Sequence, residues 1–303
     1  MKHQILLAFL SLAFSGIAYA QTNWPNGQTV RVVVPFPGGA STLDSVVRTL
    51  NPEISKNLST PVIVDNRPGA GTVIGVDATA KATDGHTVGA VANSFTVNQT
   101  LVKNLPYNAS KDLQPVILMA KTANVLAVRP GLPVNNLKEL IAYAKKNPGK
   151  LSYGSFGNGT TAHFAGEMLK SQAGIFVVHI PYRGQGPALT DLLAGNIDMA
   201  IGTTYLTRAP LAPEIPTIAE QGFPKFETDS WYGIIAPASL SKDAVDKVNS
   251  AINRALQDPV VKKNLSDRGI EIIGGTPAKF GEHIQSEIAK YAQIVKTSGM
   301  TID

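Results

Sequence analysis

Cysteine is absent from the 303-residue sequence, which excludes disulfides, thiolate metal sites, a cysteine nucleophile and a lipid-modified amino-terminal cysteine. Charged residues make up only 16% of the chain, and no run of five like charges occurs. The surplus of 27 Lys and Arg over 22 Asp and Glu, a net +5, is spread along the sequence. It is therefore no nucleic-acid footprint, only a mild preference for anions. The five histidines lie too far apart for a short metal motif, and HExxH is missing, so no metal is expected. What is present is 44% hydrophobic residues, a composition that rules out disordered, collagen-like and coiled-coil chains and leaves a folded globular protein with a substantial core.

Long apolar runs are missing too, apart from one. Behind Lys2, residues 5–18 are apolar but broken by Ser11, Ser15 and Gly16, and they close on Ala18-Tyr19-Ala20. The run is too short to span a bilayer, and small residues stand at the two positions a signal peptidase reads. A cleavable signal peptide over 1–20, cut after Ala20, is the expectation, with a periplasmic mature chain from residue 21.

From Thr29 onward β-branched runs alternate with segments of helical period, the pattern of an α/β protein with mostly parallel strands. Strands are expected at 30–34, 62–64, 87–91, 125–128, 151–153, 176–180, 199–201 and 231–236. Apolar stripes at Leu137, Leu140, Ile141 and Ala144, at Leu189, Leu192 and Leu193, at Val245, Val248, Ile252 and Leu256, and from Phe280 to Val295 predict core-facing helices. Pro/Gly-rich connectors at 129–133 and 210–224 bracket a central block. Taking that block as a second domain over 121–229 makes the first domain discontinuous, 21–120 plus 230–303. Two crossings make a hinge, and such proteins hold small ligands in the cleft between domains.

Three strand–glycine loop–helix segments carry chemistry. In the first, Phe36, Gly38 and Gly39 precede a helix starting near Ser41 or Thr42. Glycine lets peptide N–H groups face a ligand, and a helix amino terminus adds free donors and partial positive charge, which suits a carboxylate or phosphate. The competing reading is an ordinary turn, with Asp44 a first-turn acid paired to Arg48 at i+4. The second runs from Ser155, Phe156, Gly157, Asn158 and Gly159 through Thr160 and Thr161 to His163. Gly157-x-Gly159-x-x-Ala162 meets a loose dinucleotide fingerprint, but the next strand offers no acid for a ribose, so no nucleotide cofactor is expected. Tyr153 stands where a nucleophile elbow needs glycine, and a lone His163 is more often a satisfied core histidine than a ligand. The third, Tyr182-Arg183-Gly184 leading to Pro187, offers peptide N–H groups for a second anionic group, with Arg183 more readily solvated than clamped on an anion. Asn93 and Ser94 stand at the carboxyl end of a strand, where a cleft residue belongs.

Residues 32–48, 65–75, 84–87, 150–170, 179–198, 216–222 and Trp231-Tyr232-Gly233 resemble, in order and spacing, the periplasmic substrate-binding proteins of the tripartite tricarboxylate transporter system, the Bug family. The resemblance implies a type II, Venus-flytrap periplasmic binding protein of two α/β domains that captures a small carboxylate for membrane permease subunits. It implies a ligand carboxylate between the loop Phe36 to Asp44 and the loop Ser155 to Thr161, held by backbone N–H groups and ordered water, with Tyr182, Arg183, Gly184 and Asp198 close by. After Gly202 the sequence departs from the family, which continues with a helix and strand of roughly twenty residues not found here.

The leading expectation is thus a non-catalytic, exported carboxylate receptor, acting as a monomer without cofactor. A hydrolase using Ser155, His163 and Asp44 is disfavoured by motif context. A receptor that signals to a membrane kinase differs from a transport receptor only in its partner.

Overall fold

The computed structural model describes residues 24–203, 215–224, 226 and 228–298. The expected signal peptide and the first five residues of the second Pro/Gly connector, 210–214, lie outside them. β1 (Val30–Val34) is four valines around Arg31, buried on both faces, as a strand inside a helix-covered sheet must be. It pairs in parallel with β2 (Val62–Asn66) and β3 (Thr87–Ala92). In the other half of the molecule β5 (Ser152–Ser155) pairs in parallel with β6 (Val178–Pro181) and β7 (Met199–Thr203).

Two strands join these halves. β4 (Leu113–Val128) is antiparallel to β8 (Asp229–Pro237) over Leu113–Ala123, then antiparallel to β7 over Asn124–Val128. The described sheet therefore runs β2-β1-β3-β8-β4-β7-β5-β6, with the short β9 (Glu271–Ile272) on β4. This corrects the expectation of mostly parallel strands. Four of the eight pairings among the described residues are antiparallel, because β4 and β8 cross between halves in opposite directions. Leu113–Ala123 was not expected as strand, since Pro115 interrupts a run whose alternation is hidden by burial on both faces.

Helices cover both faces of each half. α1 (Thr42–Leu58), α7 (Lys242–Gln257) and α8 (Pro259–Ser266) pack through Val46, Leu50, Val248 and Ile252 onto the valines of β1. α2 (Val73–Ala80), α3 (Ser94–Leu101) and α9 (Pro277–Ser298) cover the other face around Phe95, Trp231 and Phe280. In the second half α4 (Leu137–Lys146) and α5 (Thr161–Ala173) close a core around Tyr153, Leu169 and Met199, and α6 (Gln185–Ala194) covers Ile197 and Ala200. Of its expected stripe, Leu192 is buried while Leu193 is exposed. The carboxyl ends of β1, β3, β5 and β7 lead into one crevice between the halves, the position where open α/β sheets place ligands.

Candidate ligand-binding site

The loop after β1 is held from behind. Asp44, with no exposed side-chain surface, takes Gly39 N–H at 2.8 Å, Arg48 Nε at 2.8 Å and Asn66 Nδ2 at 2.8 Å. Burial works to raise its carboxyl, but these hydrogen bonds outweigh it and hold the pKa below the usual carboxylate value. Asp44 thus braces the loop, and Gly39 spends its N–H on that brace. Gly38 faces Asn66 and Arg48. Ser41 caps α1, accepting Asp44 N–H at 3.1 Å, whereas among the described residues no acceptor meets the N–H of Thr42 or Leu43.

The loop after β5 is braced by histidines. Ser155 Oγ lies 2.7 Å from His179 Nε2 and also accepts Gly157 N–H; His163 Nδ1 accepts Gly159 N–H at 3.2 Å. The two imidazoles stack with centroids 4.1 Å apart. Burial pushes both down, His179 to about 3 with help from its neighbour His163. Two neutral, stacked rings form a support. Ser155, His163 and Asp44 do not meet, so the hydrolase constellation does not exist. α5 begins without a side-chain cap, because Thr160 Oγ1 turns back to Gly157 O at 2.6 Å. Among the described residues the N–H groups of Thr161, Ala162 and His163 have no acceptor. Gly157, at φ 138°, gives the loop a path that L residues rarely follow. Asn158 ends against Gly71, its carbonyl oxygen 3.6 Å from where a Cβ there would stand.

Between these termini lies a cavity open to the crevice. Of the residues expected at the site, Phe36, Ser41, Thr42, Asn93, Ser94, Phe156, Thr160 and Thr161 line it. Asn93 gives it little beyond backbone: its Oδ1 accepts Trp231 N–H at 2.9 Å, and its Nδ2 donates to Asp229 O and Tyr291 OH. Leu43, Ala92, Gln185, Thr203, Ser230 and Tyr232 complete the wall. Thr203 and Gln185 follow the same rule that found Asn93, a strand's carboxyl end and a helix's first residue. Ser230 and Tyr232 sit inside a crossing strand and had no such signal. No charged residue is among the described lining residues.

Two further expectations are corrected. The third loop meets protein and not cavity: Gln185 N–H, first in α6, donates to Ala40 O across the crevice at 3.2 Å. Tyr182 OH donates to Asp191 at 2.6 Å, and Arg183 is exposed. Asp198 stands at the amino end of β7, tied to Arg129 Nε at 3.0 Å and Ser152 N–H at 2.9 Å, whereas the cavity is at the strand's other end, at Thr203.

A divided α/β sheet, two crossing strands and a cavity where helix amino termini converge define a periplasmic-type solute-binding protein. The family described as tripartite tricarboxylate transporter family receptor matches residues 46–212 and 200–300, and the chain belongs to it. The two stretches overlap at the place where the sequence departs from the family. BugT of Bordetella pertussis is 33% identical over 322 residues, covering 99% of this chain and 98% of its own. Among solved structures, the periplasmic binding protein BugD is 29% identical with a TM-score of 0.85, over 90% of this chain and 98% of that one. The Rhodopseudomonas palustris protein Rpa4515, solved with adipate, is 30% identical with a TM-score of 0.85, over 92% and 99%. The chain has the α/β periplasmic binding protein fold and is a solute receptor of the tripartite tricarboxylate type, not an enzyme.

Proposed function

We propose that the cavity captures a small organic acid by its carboxylate and that closure of the two halves presents the loaded receptor to membrane permease subunits. The observation that carries this reading is the pair of helix amino termini whose N–H groups, at Thr42 and Leu43 and at Thr161 to His163, lack acceptors beside a cavity with no charged described lining. Each terminus facing an anion contributes about 0.3–1 kcal/mol, more when dry. Together with several amide hydrogen bonds this supports micromolar affinity, on the order of −8 kcal/mol. Phe36, Ser41, Thr42, Phe156, Thr160 and Thr161 are the contacts, and Ser155, Asp44 and His163 shape the loops that present them.

Residues 21–120 with 230–303 form one domain and 121–229 the other in this reading, with the hinge in β4 and β8 where they change partner. Residues 1–20 direct export and are cleaved off after Ala20, and the receptor acts as a monomer. Calorimetry of the mature chain with mono-, di- and tricarboxylates tests the core of it. Heat with at least one acid, at a Kd of about micromolar, is expected; a folded protein silent to all of them sinks the proposal.

A further inference from the structure

We infer that the amino terminus of α3 and the Ser94 hydroxyl form a second ligand subsite, which takes the far carboxylate of a short dicarboxylate; this rests on the reading of the cavity as a carboxylate site. α3 starts at Ser94, directly after Asn93 at the carboxyl end of β3. Asparagine is among the best residues for capping a helix start. Here it does not cap. Its Oδ1 accepts Trp231 N–H from β8 at 2.9 Å, and its Nδ2 donates to Asp229 O at 3.1 Å and Tyr291 OH at 3.0 Å. The N–H groups of Ser94 and Phe95, the first two of the helix, are left without an acceptor among the described residues, although both residues are buried. Glu287, on the other side of Asn93, is engaged by Trp231 Nε1 at 3.0 Å and Lys290 Nζ at 3.4 Å and takes neither.

Ser94 supplies a separate observation. It lines the cavity and is only 2% exposed. Its Oγ accepts the Thr72 hydroxyl hydrogen at 3.0 Å, so its own hydrogen leaves in another direction. Among the described residues nothing accepts it. A buried hydroxyl hydrogen without a partner is uncommon, and this one belongs to a residue of the cavity wall.

α1 and α3 stand on opposite faces of the sheet. Ala90 and Tyr232 belong to the core under α1, whereas Val91 and Trp231, their chain neighbours, belong to the core under α3. The two amino termini therefore approach the cavity from opposite sides of the sheet. A ligand that meets both carries an acceptor group at each end. Two peptide N–H groups, one hydroxyl hydrogen and the positive end of a helix suit an anion at the α3 end. A methyl group there leaves every donor unmet, and an ammonium brings only more donors. The α6 terminus cannot serve instead, because its first N–H is spent on Ala40 O.

Calorimetry on the mature protein with the four-, five- and six-carbon α,ω-diacids, each beside the monoacid and the ω-amino acid of equal length, reads this directly. At one length the diacid is expected to bind about tenfold or more tightly than both of its counterparts, the value of buried hydrogen bonds to a charged group. In Ser94→Ala, checked for folding by circular dichroism, the diacid-over-monoacid ratio falls several-fold toward parity. A monoacid or amino acid that matches the diacid at every length overturns the inference and leaves the carboxylate site standing. An equal loss for diacid and monoacid in Ser94→Ala does the same, since it puts Ser94 on the first carboxylate. A folded protein silent to every acid, citrate included, overturns both readings. Should Ser94→Ala fail to fold, the wild-type ratios decide alone.

Discussion

Gly184 and Ala40 meet across the crevice: a Cβ on Gly184 would stand 2.6 Å from the Ala40 carbonyl oxygen, which also accepts the next N–H, that of Gln185, at 3.2 Å. A helix amino terminus that sequence reasoning assigned to the ligand is therefore spent on the opposite half of the protein. The halves are clasped here by backbone, and by the Thr42–Thr203 hydroxyl pair beside it.

Gly184→Ala tests the clasp. The added carbon meets main chain and not a yielding side chain, and φ at this residue is 119°, where L residues are strained. The halves must part for it to fit. Affinity for the bound acid is expected to fall by about tenfold or more, with a larger radius of gyration by small-angle scattering at saturating ligand. Wild-type affinity and an equally compact saturated form would show that the clasp plays no part in closure.

Gly157→Val addresses the second loop. No severe contact awaits the side chain, whose Cβ would lie 3.5 Å from Tyr182 O, but φ of 138° is open essentially to glycine alone. The loop then refolds and withdraws the α5 amino terminus from its place. Binding weaker by about tenfold, at a melting temperature within a few degrees of wild type, is the expected pattern. Retained affinity would mean that the α5 terminus does not hold the acid.

Asp44→Ala should act mainly on stability. It strands Gly39 N–H and Asn66 Nδ2 and frees Arg48, which is half exposed and loses little. Losing these part-buried hydrogen bonds to a carboxylate costs about 1–2 kcal/mol, measurable as a lower urea midpoint. The carboxyl is held below its ordinary pKa, so this contribution is present above the unfolded value near 3.8 and is lost only as pH falls through the lower folded one. At neutral pH the variant is fully penalised. A midpoint matching wild type at pH 7 would contradict the brace.

The βα units were legible because each announces itself three times over: a valine-rich run, a glycine loop, a cap or uncapped helix start. Hence Val30–Val34 and the starts of α1 and α5 stand where the sequence put them. What sequence spacing cannot show is which partner takes a donor. Asp44, Asn93 and His163 had the right chemistry for a site, yet each also faces a neighbour contributed by a distant segment: Asn66, Trp231, the His179 ring. Asp198 failed for another reason. Its distance from the cavity depends on strand direction, and the two ends of β7 read alike in one dimension. Ser230 and Tyr232 enter the cavity because β8 is a crossing strand, a fact of topology with no local mark.

The stacked pair His163 and His179 makes stability respond to mild acid. Burial lowers both, His163 further through Lys170 although Glu167 opposes it, and His179 to about 3 through burial, His163 and Lys170. In the unfolded chain each titrates near 6.5. The folded protein therefore excludes protons that the unfolded chain takes up below that pH, so stability complete above about 6.5 is lost as pH falls, by up to about 1.4 kcal/mol per pH unit for each ring. Protonating His163 at Nδ1 forces Gly159 N–H off it, and protonating both rings sets like charges 4.1 Å apart by centroid; either strains the loop that carries α5. Melting temperature is expected to drop between pH 6.5 and 5. His179→Gln keeps a partner for Ser155 Oγ but does not titrate, so its drop over the same window should be visibly shallower; His283, also lowered by burial, acts alike in both proteins and cancels. Equal pH slopes in wild type and variant would place the acid sensitivity elsewhere in the chain.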